Sequence, residues 1–419
     1  MRVAIFNVKY SPNLGDGIIA ECLETALRRR TGWHVVSLDL AGRTAYRSDA
    51  APRRRSLALQ LLRAMPQRLR DGCVELALTP KLHDHIGPAW RRELASCDFA
   101  VIGGGQLIQA FDLNFPLKLT EVLQACEDTS VPAALFAVGA RVPHSEKGRH
   151  LFESLLKSKA LVHIAARDES SAQTLCDLGR RASIARDPGL LAAQTWPIEA
   201  PQQAGAKRLV GVGVTHPSVL AYHASGTASP SQASTLLAYE QLIKSLVAAG
   251  NRVLVFTNGA GEDAIALRTI RARLDPATNP DVDFAPAPTT PGHLARLIAS
   301  LDALVAHRLH AHIVAYSYRI PSVALSWDAK LDAFFASTAR SSFVSNLHGN
   351  RPDEITSRLD AAIREGIAPE VHAGVMREAV SGIERLIGRI EASSMPRLKA
   401  TGSFPVALVP NRTEDLGAS

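Results

Sequence analysis

A cluster of basic side chains follows a short apolar run late in the chain. The run at 303–306 is followed by His307, Arg308, His310 and His312. Arginine offers a planar fork of donors that suits a carboxylate or phosphate, and histidine can give or take a proton near neutral pH. The histidines do not share one helical face and no acidic residue adjoins them, so we expect no metal site. The cluster predicts an acid–base site that binds an anion, although burial in the core would explain any one histidine alone.

Two more cations follow apolar runs and could reach the same anion. Arg167 follows the run at 161–166, and Lys330 comes shortly after the run at 322–326. The carboxyl ends of parallel strands carry the ligand-binding loops of α/β proteins. We therefore expect both cations beside the basic cluster, the alternative for Arg167 being a solvated surface side chain.

Two glycine-containing loops follow strand candidates in the first half. Glycine lets a backbone approach a ligand closely, an Asn or Asp can cap a helix, and bare N–H groups can hold a phosphate, carboxylate or sugar hydroxyl. The residues of interest are Asn13, Gly15 and Asp16 in the first loop and Gly103, Gly104 and Gly105 in the second. Ordinary tight turns are the alternative for both loops. The first is not a dinucleotide fingerprint, because GxGxxG is absent.

Short apolar runs alternate with helical patterns along the chain, and these elements must position the residues above. The predicted strands are 2–8, 33–38, 99–103, 133–138, 161–166, 182–186, 208–214, 251–257, 303–307 and 322–326. The predicted helices are about 16–30, 116–126, 145–157, 168–178, 232–248, 261–274, 291–300, 309–317 and 352–396 with breaks. Continuous apolar strands between helices indicate parallel sheets covered on both faces.

The strand series pauses in a linker-like stretch between residues 196 and 208. This predicts an α/β protein with two doubly wound Rossmann-like domains facing a cleft. We assign 1–196 to an N-terminal domain, with a basic insertion at about 43–92, and 208–396 to a C-terminal domain. Residues 400–419 are expected to form a tail.

Composition limits the class of protein. The 419 residues are 46% hydrophobic and 21% charged, which excludes a disordered chain, and no apolar run reaches the ~18 residues of a membrane span. The N-terminus lacks the features of a signal peptide. Five widely spaced cysteines are an odd number without a CxxC pair. They indicate reduced thiols in the core and a cytoplasmic location.

The net charge of +7 is concentrated in one block. Between residues 28 and 92, 14 Arg and Lys stand against five acids, a balance of +9. The part at 53–70 combines arginines with a Leu/Met stripe at helical spacing, which is typical of a helix lying on an anionic membrane. A surface helix with solvated arginines is the alternative. No nucleic-acid reader motif accompanies the block, so nucleic acid is not expected.

The ordered motifs resemble those of the polysaccharide pyruvyl transferases over about residues 5–336. They are the N-x-G-D turn at Asn13, the strand with Gly103, Gly104 and Gly105, Arg167-Asp168-x-x-Ser171, Arg186-Asp187-Pro188, Arg308-Leu309-His310-Ala311, Pro321 and Trp327-Asp328-x-Lys330. The resemblance implies a GT-B-like fold. It also implies transfer of a pyruvyl group from phosphoenolpyruvate to a saccharide, forming a pyruvate ketal and releasing phosphate.

The resemblance also implies roles for particular residues. Arg308, Leu309 and His310 would bind the donor, with His310 and Arg308 catalytic, and Arg167 and Lys330 would add donor contacts. The first-half loops would serve the acceptor, a saccharide or a lipid-linked oligosaccharide. Phosphoenolpyruvate is then a co-substrate and no cofactor is expected. Peripheral contact with the inner face of a membrane through 53–70 follows from the basic block and this acceptor.

Two other functions remain open from the sequence. A GT-B-like glycosyltransferase would share the cleft and the basic donor site, with Asp328 as the one obvious carboxylate for a nucleotide sugar's ribose. A non-catalytic glycan- or anion-binding protein would keep the cleft without the chemistry. The Arg308/His310 pair argues against this second alternative.

Overall fold

Two parallel six-stranded β-sheets frame the computed structural model, which describes residues 1–46, 62, 65–198, 207–223, 231–275 and 277–400. The first has the order β2-β1-β3-β4-β5-β6 and the second β12-β11-β10-β7-β8-β9. The first sheet consists of β1 (Arg2–Asn7), β2 (His34–Asp39), β3 (Phe99–Ile108), β4 (Ala133–Ala140), β5 (Leu161–Ala166) and β6 (Ser183–Ile184). The second consists of β7 (Leu209–Gly213), β8 (Arg252–Phe256), β9 (Val282–Phe284), β10 (Ala303–Ala306), β11 (Ser322–Leu325) and β12 (Val344–Ser345). The predicted α/β fold with two Rossmann-like units is confirmed.

Helices connect the strands in both halves. In the first half they are α1 (Leu14–Thr31), α2 (Gln67–Lys81), α3 (Gly87–Leu94), α4 (Asn114–Asp128), α5 (Glu146–Leu155), α6 (Glu169–Asp177) and α7 (Ala192–Thr195). In the second half they are α8 (Pro217–His223), α9 (Gln232–Ala248), α10 (Gly261–Arg273), α11 (Pro291–Ala299), α12 (Leu309–Ser317), α13 (Ala329–Ser337), α14 (Pro352–Glu365) and α15 (Pro369–Ala400). A π-helical turn, Leu82–Ile86, joins α2 to α3, and Pro188–Leu191 is a 3₁₀ turn.

The ten predicted strands are all present, and β9 and β12 are additional. Both additional strands are edge strands of only three and two residues, too short for a periodic pattern to mark them. One boundary is wrong: β3 runs to Ile108, five residues beyond its predicted end at 103. The three glycines therefore lie inside a strand instead of in a turn that follows one.

The strands lack polar alternation because a hydrophobic core covers each face. In β1, Val3 and Ile5 point into one core, while Ala4 and Phe6 point into another. The first of these cores also contains Leu304 of the second sheet. The two halves therefore share a continuous apolar core on their facing sides.

The last described helix, α15, packs against the first sheet. Its Ile383, Leu386 and Ile390 are buried in the shared core. Glu384 pairs with Arg30 of α1 at 3.2 Å. The last described helix therefore packs on the N-terminal half of the protein.

The basic block does not form one continuous helix through residue 70. Pro66 occupies the N-cap position of α2, which begins at Gln67. Arg70 is buried and donates to the carbonyl oxygens of Leu62 and Met65, so it is not available to an outer surface. Most of the predicted surface helix, at 47–61 and 63–64, lies outside the described residues, as does the predicted tail from 401 onward.

Two further findings concern the whole described chain. The five cysteines are free thiols. Cys22, Cys97 and Cys126 are buried, but Cys73 and Cys176 are exposed, so the expectation that all five lie in the core is wrong for these two. Among the residues described, no helix combines the length and apolar character needed to cross a bilayer.

Candidate active site between the two sheets

Basic and acidic side chains from both halves meet where the carboxyl ends of the two sheets face each other. His310 stands in the first turn of α12, directly after β10. Arg167 follows β5, and Asp187 follows β6. The Nε2 atom of His310 lies 3.6 Å from Oδ2 of Asp187, which brings the second sheet's histidine to the first sheet's carboxylate.

Asp187 is buried and the side chain of His310 is 12% accessible, so the pair is largely shielded from solvent. Neither His310 Nε2 nor Asp187 Oδ2 has a hydrogen-bond partner among the described residues. The other carboxylate oxygen of Asp187 accepts the N–H of Gly189 at 2.9 Å and so caps the 3₁₀ turn. Burial alone would raise the pKa of Asp187, but His310 and Arg167 beside it hold that pKa below its ordinary value. An ionised carboxylate therefore faces the imidazole and can stabilise its protonated form.

Gly15 fixes the other side of the His310 ring. A Cβ atom at residue 15 would lie 2.8 Å from both Cβ and Nδ1 of His310, closer than real Cβ contacts allow. The close backbone approach predicted at Gly15 is thus made to this histidine. The absence of a side chain at residue 15 lets α1 support the ring from the opposite half.

The two neighbouring histidines belong to the core. His307 is buried with Nδ1 2.7 Å from the hydroxyl of Tyr239. His312 is buried with its ring nitrogens 3.0 Å from Ser322 Oγ and 2.9 Å from the carbonyl oxygen of Ala306. Burial lowers the pKa of His307 to about 3 and that of His312 to about 4. Of the three clustered histidines, His310 is the one that the structure brings to a carboxylate.

Arg308 is anchored by a carboxylate that the sequence analysis did not identify. Its Nε and Nη2 atoms donate to Oδ2 of fully buried Asp263, at 3.2 and 2.7 Å. Asp263 also accepts the N–H of His216 at 2.8 Å. The fork expected to hold a ligand anion is therefore occupied by the protein, and Nη1 is the donor atom without a partner among the described residues.

Arg167 and Lys330 form a second group of cations. Arg167 Nη1 lies 3.8 Å from Asp187 Oδ2, and its Nη2 donates to Gln106 Oε1 at 3.3 Å. Lys330 Nζ lies 3.1 Å from Asp328 Oδ2. Burial lowers the pKa of Lys330, and the positive charge of Arg167 adds to this shift while Asp328 opposes it. The charge of Arg167 therefore acts on Lys330.

The first loop contacts the second half through its backbone. Asn13 occupies the N-cap position of α1 without a capping side-chain bond, and its Nδ2 lies 3.5 Å from Asp16 Oδ2. The next residue, Leu14, donates its N–H to the carbonyl oxygen of Asn258 at 2.9 Å. Leu309 packs its side chain against the apolar cores at the start of α12.

The three consecutive glycines have protein neighbours in the space a side chain would occupy. A Cβ on Gly103 would lie 2.7 Å from the carbonyl oxygen of Phe136, and one on Gly104 would lie 2.0 Å from Cγ2 of Ile19. Gly104 and Gly105 have φ values of +78° and +83°, which side chains rarely adopt. Packing against β4 and α1 therefore explains these glycines, and the expected turn with bare N–H groups is not formed.

Sequence reasoning missed two acidic residues of this site. Asp187 lies in the Arg-Asp-Pro motif that contributes to the family resemblance, and that motif was the available signal. Asp263 stands in a helical pattern 45 residues before Arg308, and nothing local marks it. Among the described residues, no group of three or more His, Cys, Asp or Glu could hold a metal ion.

Comparisons with known proteins concern the family and the fold of the chain. A family model described as polysaccharide pyruvyl transferase matches residues 13–329. No curated protein matches the chain.

Among solved structures, UDP-GlcNAc 2-epimerase from Neisseria meningitidis aligns with a TM-score of 0.53 and 12% identity over 93% of this chain and 100% of its own. Trehalose 6-phosphate synthase from Burkholderia multivorans gives 0.54 and 12% over 96% and 98%. The MnaA protein of S. aureus gives 0.51 and 10% over 96% and 98%. At these identities the likeness shows the fold, that of GT-B glycosyltransferases and related epimerases.

Proposed function

Because the chain belongs to the polysaccharide pyruvyl transferase family, we propose that it transfers a pyruvyl group from phosphoenolpyruvate to a saccharide and forms a pyruvate ketal. The observation that carries this proposal is the His310–Asp187 pair, with Arg167 3.8 Å from Asp187 and Arg308 two residues before His310. This arrangement combines a proton donor with fixed positive charge. Both are required by a substrate that carries a carboxylate, a phosphate and a carbon atom to be protonated.

The charge of the donor matches the cations of the cleft. Phosphoenolpyruvate carries two anionic groups, and Arg167, Lys330 and Arg308 supply positive charge from both halves. Asp187 and Asp263 already neutralise part of that charge, which keeps the empty cleft from holding several unpaired cations. The donor contains its own leaving group, so the proposed reaction uses no cofactor.

The first chemical step is protonation of the donor's methylene carbon. Protonated His310 gives its proton to that carbon, and the carbon bearing the carboxylate and phosphate gains oxocarbenium character. Asp187 stabilises the imidazolium before transfer. A sugar hydroxyl then forms a bond to the oxocarbenium carbon, and the now neutral imidazole takes the hydroxyl proton.

The second step closes the ketal. A second hydroxyl of the same saccharide bonds to this carbon, while the carbon–oxygen bond to phosphate breaks and phosphate leaves with the electron pair. The proton of the second hydroxyl goes to solvent or to the departing phosphate. Arginine stabilises the leaving anion electrostatically. The product gains the atoms of pyruvate less one water.

The acceptor is a saccharide, as the family implies. We place it against the first-half loops, where Asn13 and Asp16 offer amide and carboxylate groups to sugar hydroxyls. A lipid-linked oligosaccharide would bring the enzyme to the cytoplasmic face of a membrane. Such peripheral contact is supported by the arginines within 53–68, buried Arg70 being excluded, and by the exposed Leu69 and Leu76 of α2, which are 62% and 81% accessible.

A nucleotide sugar is the alternative donor. Asp328, the carboxylate considered for its ribose, caps α13 through the N–H of Lys330 and lies 3.1 Å from the Nζ atom of that residue. These contacts commit Asp328 to its own helix and to a donor-site cation. No described contact therefore favours a nucleotide sugar.

The product that leaves the donor distinguishes the two functions. The protein is incubated with an oligosaccharide and either phosphoenolpyruvate or a set of nucleotide sugars, and released phosphate and nucleotide are quantified with the product mass. We expect saccharide-dependent phosphate release from phosphoenolpyruvate only. Nucleotide release, or donor binding without turnover on any saccharide tested, would favour one of the two alternatives.

A further inference from the structure

Two buried polar side chains in the second half have no hydrogen-bond partner. Thr215 is fully buried and Asn258 is 1% accessible. Thr215 Oγ1 and both side-chain polar atoms of Asn258 lack a partner among the described residues. Buried polar groups are nearly always hydrogen-bonded, and leaving one unpaired destabilises a fold. Two such residues together indicate a place where a ligand completes the bonds.

The strand register puts these residues in one row with Arg308. In the second sheet Ala306 pairs with Gly213, and Gly213 pairs with Phe256. Arg308, Thr215 and Asn258 each stand two residues beyond those positions. They therefore occupy equivalent positions beyond the carboxyl ends of the adjacent strands β10, β7 and β8.

The row lies on the side of the sheet that faces the first half. Val214 donates its N–H to the carbonyl oxygen of Phe256 at 2.9 Å, so the ladder extends past the end of β7. Side chains alternate between faces, and Phe256 points into the core that both halves share. Asn258, two residues later, falls on that same side. Its own backbone carbonyl oxygen accepts the N–H of Leu14 of the first half.

From this row we infer that Thr215, Asn258 and Arg308 form the phosphoryl subsite of the donor, an inference that rests on the proposed function. The hydroxyl of Thr215, the amide N–H₂ of Asn258 and the free Nη1 of Arg308 donate to phosphoryl oxygens. The N-terminus of α12 lies next to Arg308, and the first N–H groups of a helix lack an i−4 carbonyl partner. Donors from three strands and a helix end suit the three oxygens of a phosphoryl group better than the two of a carboxylate. Arg167 and Lys330 are then left for the carboxylate.

Two substitutions test the subsite by binding. Thr215→Val keeps the shape and removes the hydroxyl, and Asn258→Asp keeps the shape and adds a negative charge. Affinity for phosphoenolpyruvate, and for inorganic phosphate as a competitor, is measured by calorimetry. We expect both variants to bind each ligand at least about tenfold more weakly than the wild type. Thr215→Val should keep or raise the melting temperature, because it removes an unpaired buried polar group.

The control is a buried threonine whose hydroxyl is paired. Thr235 Oγ1 donates to the carbonyl oxygen of Ser231 at 3.1 Å. Thr235→Val should therefore lower the melting temperature and leave phosphoenolpyruvate binding unchanged. Affinities of the Thr215 and Asn258 variants within twofold of the wild type would overturn the subsite while leaving the proposed function standing. A wild type that binds no phosphoenolpyruvate would overturn the proposed function itself.

Discussion

The imidazole of His310 and the carboxylate of Asp187 lie 3.6 Å apart although they follow strands of different sheets. His310 is positioned by β10 and α12 of the second half, and Asp187 by β6 and the following turn of the first half. The pair therefore exists only while the two halves hold their relative placement. The shared apolar core supplies that placement, since it includes residues of both sheets.

Asp187→Asn should slow turnover more than it weakens donor binding. The amide fills the same space but cannot neutralise a protonated imidazole. We expect kcat to fall by at least about tenfold, part of the 10²–10⁴ that general acid catalysis supplies, with a smaller change in KM. Asp353→Asn, in an exposed ion pair with Arg351, is the control. A pH–rate profile identical to the wild type would exclude Asp187 from this role.

Gly15→Ala should reduce activity through His310. The added methyl would lie 2.8 Å from the ring and must displace it from Asp187. We expect kcat to fall at least about tenfold, because a misplaced catalytic group loses much of its effect. Gly388 also lies in a helix, and a Cβ there meets nothing within 4 Å. Gly388→Ala should therefore be fully active and no less stable. Equal activities for the two variants would show that Gly15 does not position the ring.

The buried histidines predict a loss of stability in acid. In the folded chain burial lowers the pKa of His312 from 6.5 to about 4, whereas the unfolded chain takes up that proton near 6.5. Between these values the unfolded state binds more protons, so the free energy of unfolding falls as pH falls. Each histidine contributes about 1.4 kcal/mol per pH unit in this window. Urea denaturation between about pH 7 and pH 4.5 measures the slope.

His312→Gln identifies the contribution of one histidine to that slope. Glutamine does not titrate, so the variant should lose stability less steeply with acidification, by about one proton. The control is the exposed His150, which is 68% accessible, and His150→Gln should leave the slope unchanged. A His312→Gln slope equal to that of the wild type would show that His312 is not held neutral by burial.

The basic block should bind anionic vesicles. The test variant replaces four arginines by glutamine, namely Arg53, Arg54, Arg55 and Arg63. Each arginine near an anionic surface contributes roughly 1 kcal/mol, so we expect the variant to lose most co-sedimentation with vesicles containing phosphatidylserine. Wild-type binding should weaken as salt rises.

A matched variant separates this surface from net charge. It replaces four arginines of the second half, namely Arg252, Arg268, Arg271 and Arg273. We expect it to bind vesicles as the wild type does. Binding that is absent in the wild type, or that both variants reduce equally, would favour a solvated surface helix.

Local pattern was enough to predict most of the fold. Buried parallel strands such as β4 are continuous apolar runs, and their spacing by helices implies the two sheets. The short edge strands β9 and β12 have too few residues to show a hydrophobic pattern that would predict a strand. The Gly103–Gly105 run reads as a turn, because glycine is rare within strands and its partners there, Phe136 and Ile19, come from distant segments.

The sequence predicts the site residues that come directly after a strand, but it does not predict their partners from distant parts of the chain. Arg308 and His310 stand directly after β10, so their location follows from the strand prediction. Their carboxylate partners lie 45 residues before Arg308 and 123 residues before His310, and no local pattern links them. The pairing also changed an expectation, since two nitrogen atoms of the Arg308 guanidinium bind Asp263 and only Nη1 is left for a ligand.

Running the reaction in D₂O tests whether His310 protonates the methylene carbon of phosphoenolpyruvate. In D₂O the exchangeable proton on His310 is replaced by deuterium, which the proposed step transfers to that carbon. Mass spectrometry and NMR of the saccharide product should show a ketal whose methyl group carries one deuterium. His310→Gln should form no such product, and His150→Gln should form it normally. A ketal methyl without deuterium, or wild-type yield from His310→Gln, would exclude His310 as the proton donor to this carbon.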